Sequence, residues 1–222
     1  MTRILDSKRR EPASGTTESV VVFLHGYGAD GADLLGLADP LSTHMPDTLF
    51  LAPDAPERCA TTPMGFQWFP IPWIDGSAEE EAERSMRQSV LDLNAYLDSV
   101  LEDEDVSPAQ VMLFGFSQGT MMSLHVAPRR KEPFAGVVGF SGRLLQAESL
   151  AEEVVSRPPI LLVHGDQDEL VPPQSLQEAG NALIAAEFEV YAHIMEGTGH
   201  GIAEDGLGVA LSFTRDRLGA DA

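Results

Sequence analysis

Residues 115–119 read Gly-Phe-Ser-Gln-Gly, and what flanks them leaves few folds open. The run Val111-Met112-Leu113-Phe114 ahead of them has the length and apolar character of a buried strand. From Ser117 to Ala127 the residues suit a helix. A serine on so tight a strand-to-helix turn needs neighbours without side chains two residues to either side, where Gly115 and Gly119 stand. Its hydroxyl is then pushed out above the sheet edge, as in a nucleophile elbow.

The same alternation runs through the chain. Short β-branched or aromatic runs at 19–25, 48–52, 111–114, Gly136–Phe140, 160–164 and Val190–Met195 read as strands, with a weaker extended piece at 3–6. Most are separated by helical patterns, which points to a largely parallel sheet covered on both faces, an α/β architecture. The clearest helix spans 78–101, where Met86, Val90, Leu93, Leu97 and Val100 make one core-facing stripe. Ser77 through Glu80 has the spacing of a capping box, with Ser77 at the N-cap. Further helices are expected at 174–187, 207–218, 34–38 and 148–154. At 222 residues, without repeat, low-complexity tract or linker, residues 1–222 read as one domain.

One stretch breaks the pattern. Residues 57–76 hold Phe66, Trp68, Phe69 and Trp73 among several prolines, so regular structure is disfavoured while solvation of the rings would be costly. Such a loop has to fold onto something, and Trp68 and Phe69 are expected to line an apolar substrate pocket.

A serine hydroxyl needs a base within hydrogen-bond reach to act as a nucleophile. Of six histidines, His200 sits in the glycine-rich loop Gly197-Thr198-Gly199-His200-Gly201 just after the last expected strand, where an imidazole can be presented to Ser117. His193 belongs to a strand, His44 precedes a proline turn, and His125 lies two turns along the nucleophile helix. The orienting acid is sought after the strand at 160–164, where Asp166 and Asp168 compete; Asp168 is preferred, Asp166 being placed to hold the turn. The order Ser117, Asp168, His200 is that of α/β-hydrolases and of neither major serine-protease class. Backbone N–H groups of Gln118, directly after the serine, and of Tyr27, in the loop after the strand at 19–25, are the expected oxyanion donors. His25 is expected to brace that loop.

Three other readings compete. Residues 26–31 match G-x-G-x-x-G, but Asp47 downstream is not at a strand end, so a dinucleotide site is poorly supported. His164, Asp166 and Asp168 could suggest a metal cluster, yet no second ligand group accompanies them, and no metal or organic cofactor is required. A catalytically inactive hydrolase-fold binding protein is the third; such proteins usually lose a member of the triad, and all three stand here.

The chain resembles the carboxylesterase, lysophospholipase and acyl-protein thioesterase family of small α/β-hydrolases over nearly all its length from Ser19. Residues 23–30 resemble the family's oxyanion loop, 106–108 with 114–119 its nucleophile strand and elbow, 164–172 its acid loop, and Gly199-His200 its histidine loop. The resemblance implies Ser117, Asp168 and His200 as triad, and Tyr27 and Gln118 as oxyanion donors. The reaction would be hydrolysis of an ester or thioester through an acyl-enzyme, on a small-molecule or lipid acyl substrate or an acylated protein. Tyr27 stands where many members have leucine, Thr120 where glycine is common, and Thr198 where methionine is common.

Charge narrows the partners. Thirty-five acidic against 14 basic residues give a formal charge of −21, a field that repels nucleic-acid backbones and anionic membranes. No apolar run approaches the length of a membrane span, so stable membrane insertion is not expected. The lone Cys59 and the polar first residues fit a cytoplasmic protein without a signal peptide.

Overall fold

A computed structural model describes residues 2–219. Nine strands occur in it: β1 (Ser7–Arg10), β2 (Ser19–Leu24), β3 (Thr48–Pro53), β4 (Glu57–Arg58), β5 (Phe66–Gln67), β6 (Val111–Phe116), β7 (Gly136–Phe140), β8 (Ile160–Gly165) and β9 (Val190–Met195). The helices are α1 (Gly31–Leu35), α2 (Ala38–Ser42), α3 (Pro72–Asp75), α4 (Glu79–Asp103), α5 (Gln118–Val126), α6 (Leu150–Glu153), α7 (Gln174–Ala185) and α8 (Glu204–Leu218). Seven strands form one sheet in the order β1-β3-β2-β6-β7-β8-β9, parallel except for β1, and β4 pairs with β5 in a separate small hairpin.

Burial of the central strands on both faces explains their continuous apolar runs. Along β2, Val20, Val22 and Leu24 face one core and Val21 and Phe23 the other, the two-residue period of a strand. The first core is closed by Leu93 and Leu97 of α4, Leu124 of α5 and Leu183 of α7. The second is closed by Leu34 of α1, Leu41 of α2 and Phe213 of α8. Helices therefore cover both faces, as the alternation implies. No helix among the described residues is long and apolar enough to cross a membrane.

Register sets where the loops meet. Leu24 lies beside Gly115, so the loops after β2 and β6 leave the sheet together. Gly165 lies beside Met195, which does the same for the loops after β8 and β9.

Several local expectations need correction. The extended piece at 3–6 is displaced to Ser7–Arg10, an antiparallel edge strand whose sequence Ser-Lys-Arg-Arg carries no apolar alternation. The capping box at Ser77 does not form: α4 opens at N-cap Ala78 without a side-chain cap, and the Ser77 amide is taken by Asp75 Oδ1 at 2.9 Å. The helix expected at 34–38 is two short helices, and it is Asp30 with Asp33 that forms a capping box, on α1. α8 begins at Glu204, earlier than expected, because Gly206 and Gly208 weaken the helical signal there.

Candidate active site

Ser117 sits between β6 and α5 at φ 53°, ψ −113°, a backbone state that costs a non-glycine residue about 1–3 kcal/mol. The strain follows from how closely the turn packs. A Cβ on Gly119 would lie 1.8 Å from the Leu24 carbonyl oxygen, and one on Gly115 2.5 Å from the Thr120 amide nitrogen. Both glycines of the motif are thus fixed by contact. The Ser117 amide donates to Phe140 O at 2.8 Å, tying the elbow to β7.

Ser117 Oγ is 3.0 Å from His200 Nε2, and His200 Nδ1 is 2.7 Å from Asp168 Oδ2. With the Nδ1 proton directed at the carboxylate, Nε2 is left to accept from the serine hydroxyl. Asp168 Oδ1 accepts from the Leu170 and Val171 amides, each at 2.9 Å. Burial alone would raise the Asp168 pKa, but the hydrogen bond from His200 and those backbone amides outweigh it and hold the group below the ordinary value. The side chain is fully buried, so its charge is expressed on the imidazole rather than in solvent. The Phe116 ring, 5.0 Å centroid to centroid from the imidazole, flanks it; sequence reasoning missed this residue, whose only signal was its place inside the motif.

The acid and histidine loops are stitched together. Asp166 Oδ1 accepts from the Gly197 amide at 2.7 Å, and the Gln167 amide donates to Thr198 O at 2.9 Å. Of the two candidate acids, then, Asp168 meets the imidazole and Asp166 holds the loop. His164, buried, places Nε2 2.9 Å from Val171 O and 3.2 Å from Asp168 Oδ2, so it braces the same carboxylate oxygen that meets His200. Among the described residues no group of three or more His, Cys, Asp or Glu side chains is placed to hold a metal ion.

His25 is buried within the oxyanion-side loop. Its Nδ1 donates to Gly26 O at 2.8 Å and its Nε2 accepts from the Ala55 amide at 2.9 Å, the bracing role expected of it. Desolvation lowers its pKa and keeps it neutral. The amides of Tyr27 and Gln118 are engaged by no other protein acceptor among the described residues. The G-x-G-x-x-G match leads elsewhere: the start of α1 is occupied by the Asp30 cap and by Asp54 Oδ1, which accepts from the Gly31 amide at 2.8 Å. Two carboxylates at that helix end leave no place for a phosphate.

Trp68 departs from expectation. It has 0% exposure, so it lines no pocket open to substrate. Its indole N–H donates to His25 O at 3.0 Å and its amide to Gln118 Oε1 at 2.8 Å; Gln118 Nε2 donates to Phe69 O at 2.7 Å, and Ser89 Oγ bonds Trp68 O. Trp68 is a strut between the oxyanion-side loop and the elbow, and Phe69 is nearly as buried. The remaining histidines stand apart from this relay: His193 pairs with Asp205 at 2.8 Å, His125 is buried in α5, and His44 is exposed.

A mostly parallel sheet with helices on both faces and a strained serine at the central strand-to-helix turn, followed in chain order by an acid and a histidine, defines an α/β-hydrolase. Residues 8–218 match the phospholipase/carboxylesterase family model, and the chain belongs to that family. It is a serine hydrolase that acts on ester or thioester bonds. Among solved structures it is similar to esterase PE8, with 38% identity, a TM-score of 0.92, and coverage of 97% of this chain and 100% of that one. Among curated proteins it is similar to acyl-protein thioesterase 1 of Schizosaccharomyces pombe, 26% identical over 99% of this chain and 100% of the relative. Acyl-protein thioesterase 1 of Gibberella zeae is 24% identical over 93% and 94%.

Proposed function

We propose that residues 1–222 act as one hydrolase domain in which Ser117 is the nucleophile, His200 the general base and acid, and Asp168 the group that holds the imidazole tautomer. Ser117 attacks the acyl carbonyl as its proton passes to His200 Nε2. The oxyanion is held by the backbone N–H groups of Tyr27 and Gln118. His200 then protonates the leaving group, and water activated by the same histidine releases the acyl group from Ser117. The substrate is a small-molecule or lipid acyl ester or thioester, with the acylated proteins named for the thioesterase relatives as a further class. A cytoplasmic setting suits the single, buried Cys59.

The observation that carries this reading is the continuous hydrogen-bonded chain from serine to imidazole to carboxylate, at 3.0 and 2.7 Å. The strain at Ser117 supports it too, since a protein that only binds gains nothing from holding a serine at φ 53°. Replacing Ser117 with alanine should lower kcat on a p-nitrophenyl ester by about 10⁶. Near-normal turnover by that variant overturns the assignment.

A further inference from the structure

We propose that this enzyme is restricted to short acyl groups, and that Tyr27, clamped by Asp75, sets the limit; the inference rests on Ser117 being the nucleophile. A carbonyl attacked by Ser117 carries an oxygen, a leaving group and an acyl chain. The oxygen faces the Tyr27 and Gln118 amides, and the leaving group faces His200, which must protonate it. On this proposal the acyl chain takes the third direction, toward residues 57–76, which are joined to the Tyr27 loop by the bond from the Gly28 amide to Phe66 O at 2.8 Å.

A long chain would need open space between apolar walls there, and three of the segment's large apolar side chains are spent on the core. Trp68 is 0% exposed, Ile71 4% and Phe69 7%, so the first touches no void that could hold even a water. Trp73, on α3, is 65% exposed, and Phe66 is half-buried with the Arg58 guanidinium 4.2 Å from its ring centroid. The segment is fastened shut by the bonds from Trp68 to Gln118, His25 and Ser89, and from Gln118 to Phe69.

Tyr27 is clamped to this same segment. Its hydroxyl donates to Asp75 Oδ2 at 3.0 Å and accepts from Thr61 Oγ1 at 3.4 Å, and its ring packs against the core that contains Trp68. The Asp75 carboxylate also takes the amides of Ile71 at 2.8 Å and Ser77 at 2.9 Å. The ring is therefore anchored at both ends, by its backbone in the oxyanion-side loop and by its hydroxyl in the aromatic excursion. Leucine at this position would be shorter and could make no such anchor.

The experiment is kcat/KM on p-nitrophenyl acetate, butyrate, octanoate and dodecanoate for the wild type, Tyr27→Leu and Asp75→Asn. The wild type should prefer acetate or butyrate over octanoate by about tenfold or more, the effect of pressing methylenes into a packed core. Tyr27→Leu should raise the octanoate-to-acetate ratio about tenfold, and Asp75→Asn should move it the same way by less. A wild-type kcat/KM that climbs through octanoate to dodecanoate overturns the inference. So does an unchanged ratio in both variants. If Tyr27→Leu fails to fold, the wild-type series and Asp75→Asn still decide. Absence of turnover on every ester, together with no fluorophosphonate labelling of Ser117, marks failure of the nucleophile assignment itself and removes the basis of the inference.

Discussion

Replacing Gln118 with alanine separates two roles that meet at one residue. Its backbone N–H is a proposed oxyanion donor, and its carboxamide, with no exposed surface, joins Trp68 N at 2.8 Å to Phe69 O at 2.7 Å. Alanine keeps the first and deletes the second, leaving a buried amide and a buried carbonyl unpaired. Each such group costs about 1–3 kcal/mol, so the variant should lose about 2–6 kcal/mol of stability. For a chain of this length that is a fall in Tm of roughly 5–20 °C. Gln118→Met, of similar size but equally unable to bond, should lose nearly as much, which assigns the loss to the hydrogen bonds rather than to a cavity. At a temperature well below both transitions, kcat should fall by less than the roughly 10²–10³ that loss of an oxyanion donor costs. Thermal denaturation followed by circular dichroism reads the first quantity and initial rates on a short p-nitrophenyl ester the second. A Tm within about 1 °C of wild type for Gln118→Ala would refute the strut.

Gly119→Ala should lose at least about 10² in kcat/KM, because its Cβ would sit 1.8 Å from Leu24 O and the elbow must shift to make room; rates on a p-nitrophenyl ester check this, and wild-type activity would contradict it. His125, desolvated in α5 and facing the Arg129 charge, has its pKa pushed down to about 4. Below its unfolded value of about 6.5 the unfolded chain binds a proton that the folded one refuses, so stability falls as pH drops from there and levels off near the folded value. That contribution, roughly 2–3 kcal/mol by pH 4, should vanish in His125→Leu, making the gap between urea midpoints of the two proteins pH-dependent only in this window. Parallel pH profiles would show that His125 is not the source.

The parts of the fold that sequence revealed are those where burial writes a continuous signal. β2, with Val20, Val21, Val22 and Phe23 packed on both faces, could hardly be read otherwise. β1 could, because an edge strand of Ser-Lys-Arg-Arg is stabilised by its ladder with β3 and not by its side chains. Ser117, Asp168 and His200 were legible as candidates because each lies in the turn or loop that follows a strand, and the structure brings the three within hydrogen-bond distance. Trp68 was misread for the opposite reason. Composition shows that its loop is apolar, whereas the choice between pocket and core depends on Gln118, His25 and Ser89, which lie 50, 43 and 21 residues away along the chain. His164 was similarly visible only as a member of an acidic, histidine-bearing stretch; its brace on Asp168 depends on how the acid loop folds back to bring Val171 O beside it.

The proposed activation of the Ser117 hydroxyl by His200 can be tested without choosing a substrate. Intact-mass and peptide mapping after brief exposure to a fluorophosphonate should place one adduct on the peptide bearing Ser117, absent in Ser117→Ala and formed far more slowly in His200→Ala. An unlabelled Ser117, or an adduct that forms equally fast without His200, would contradict the relay.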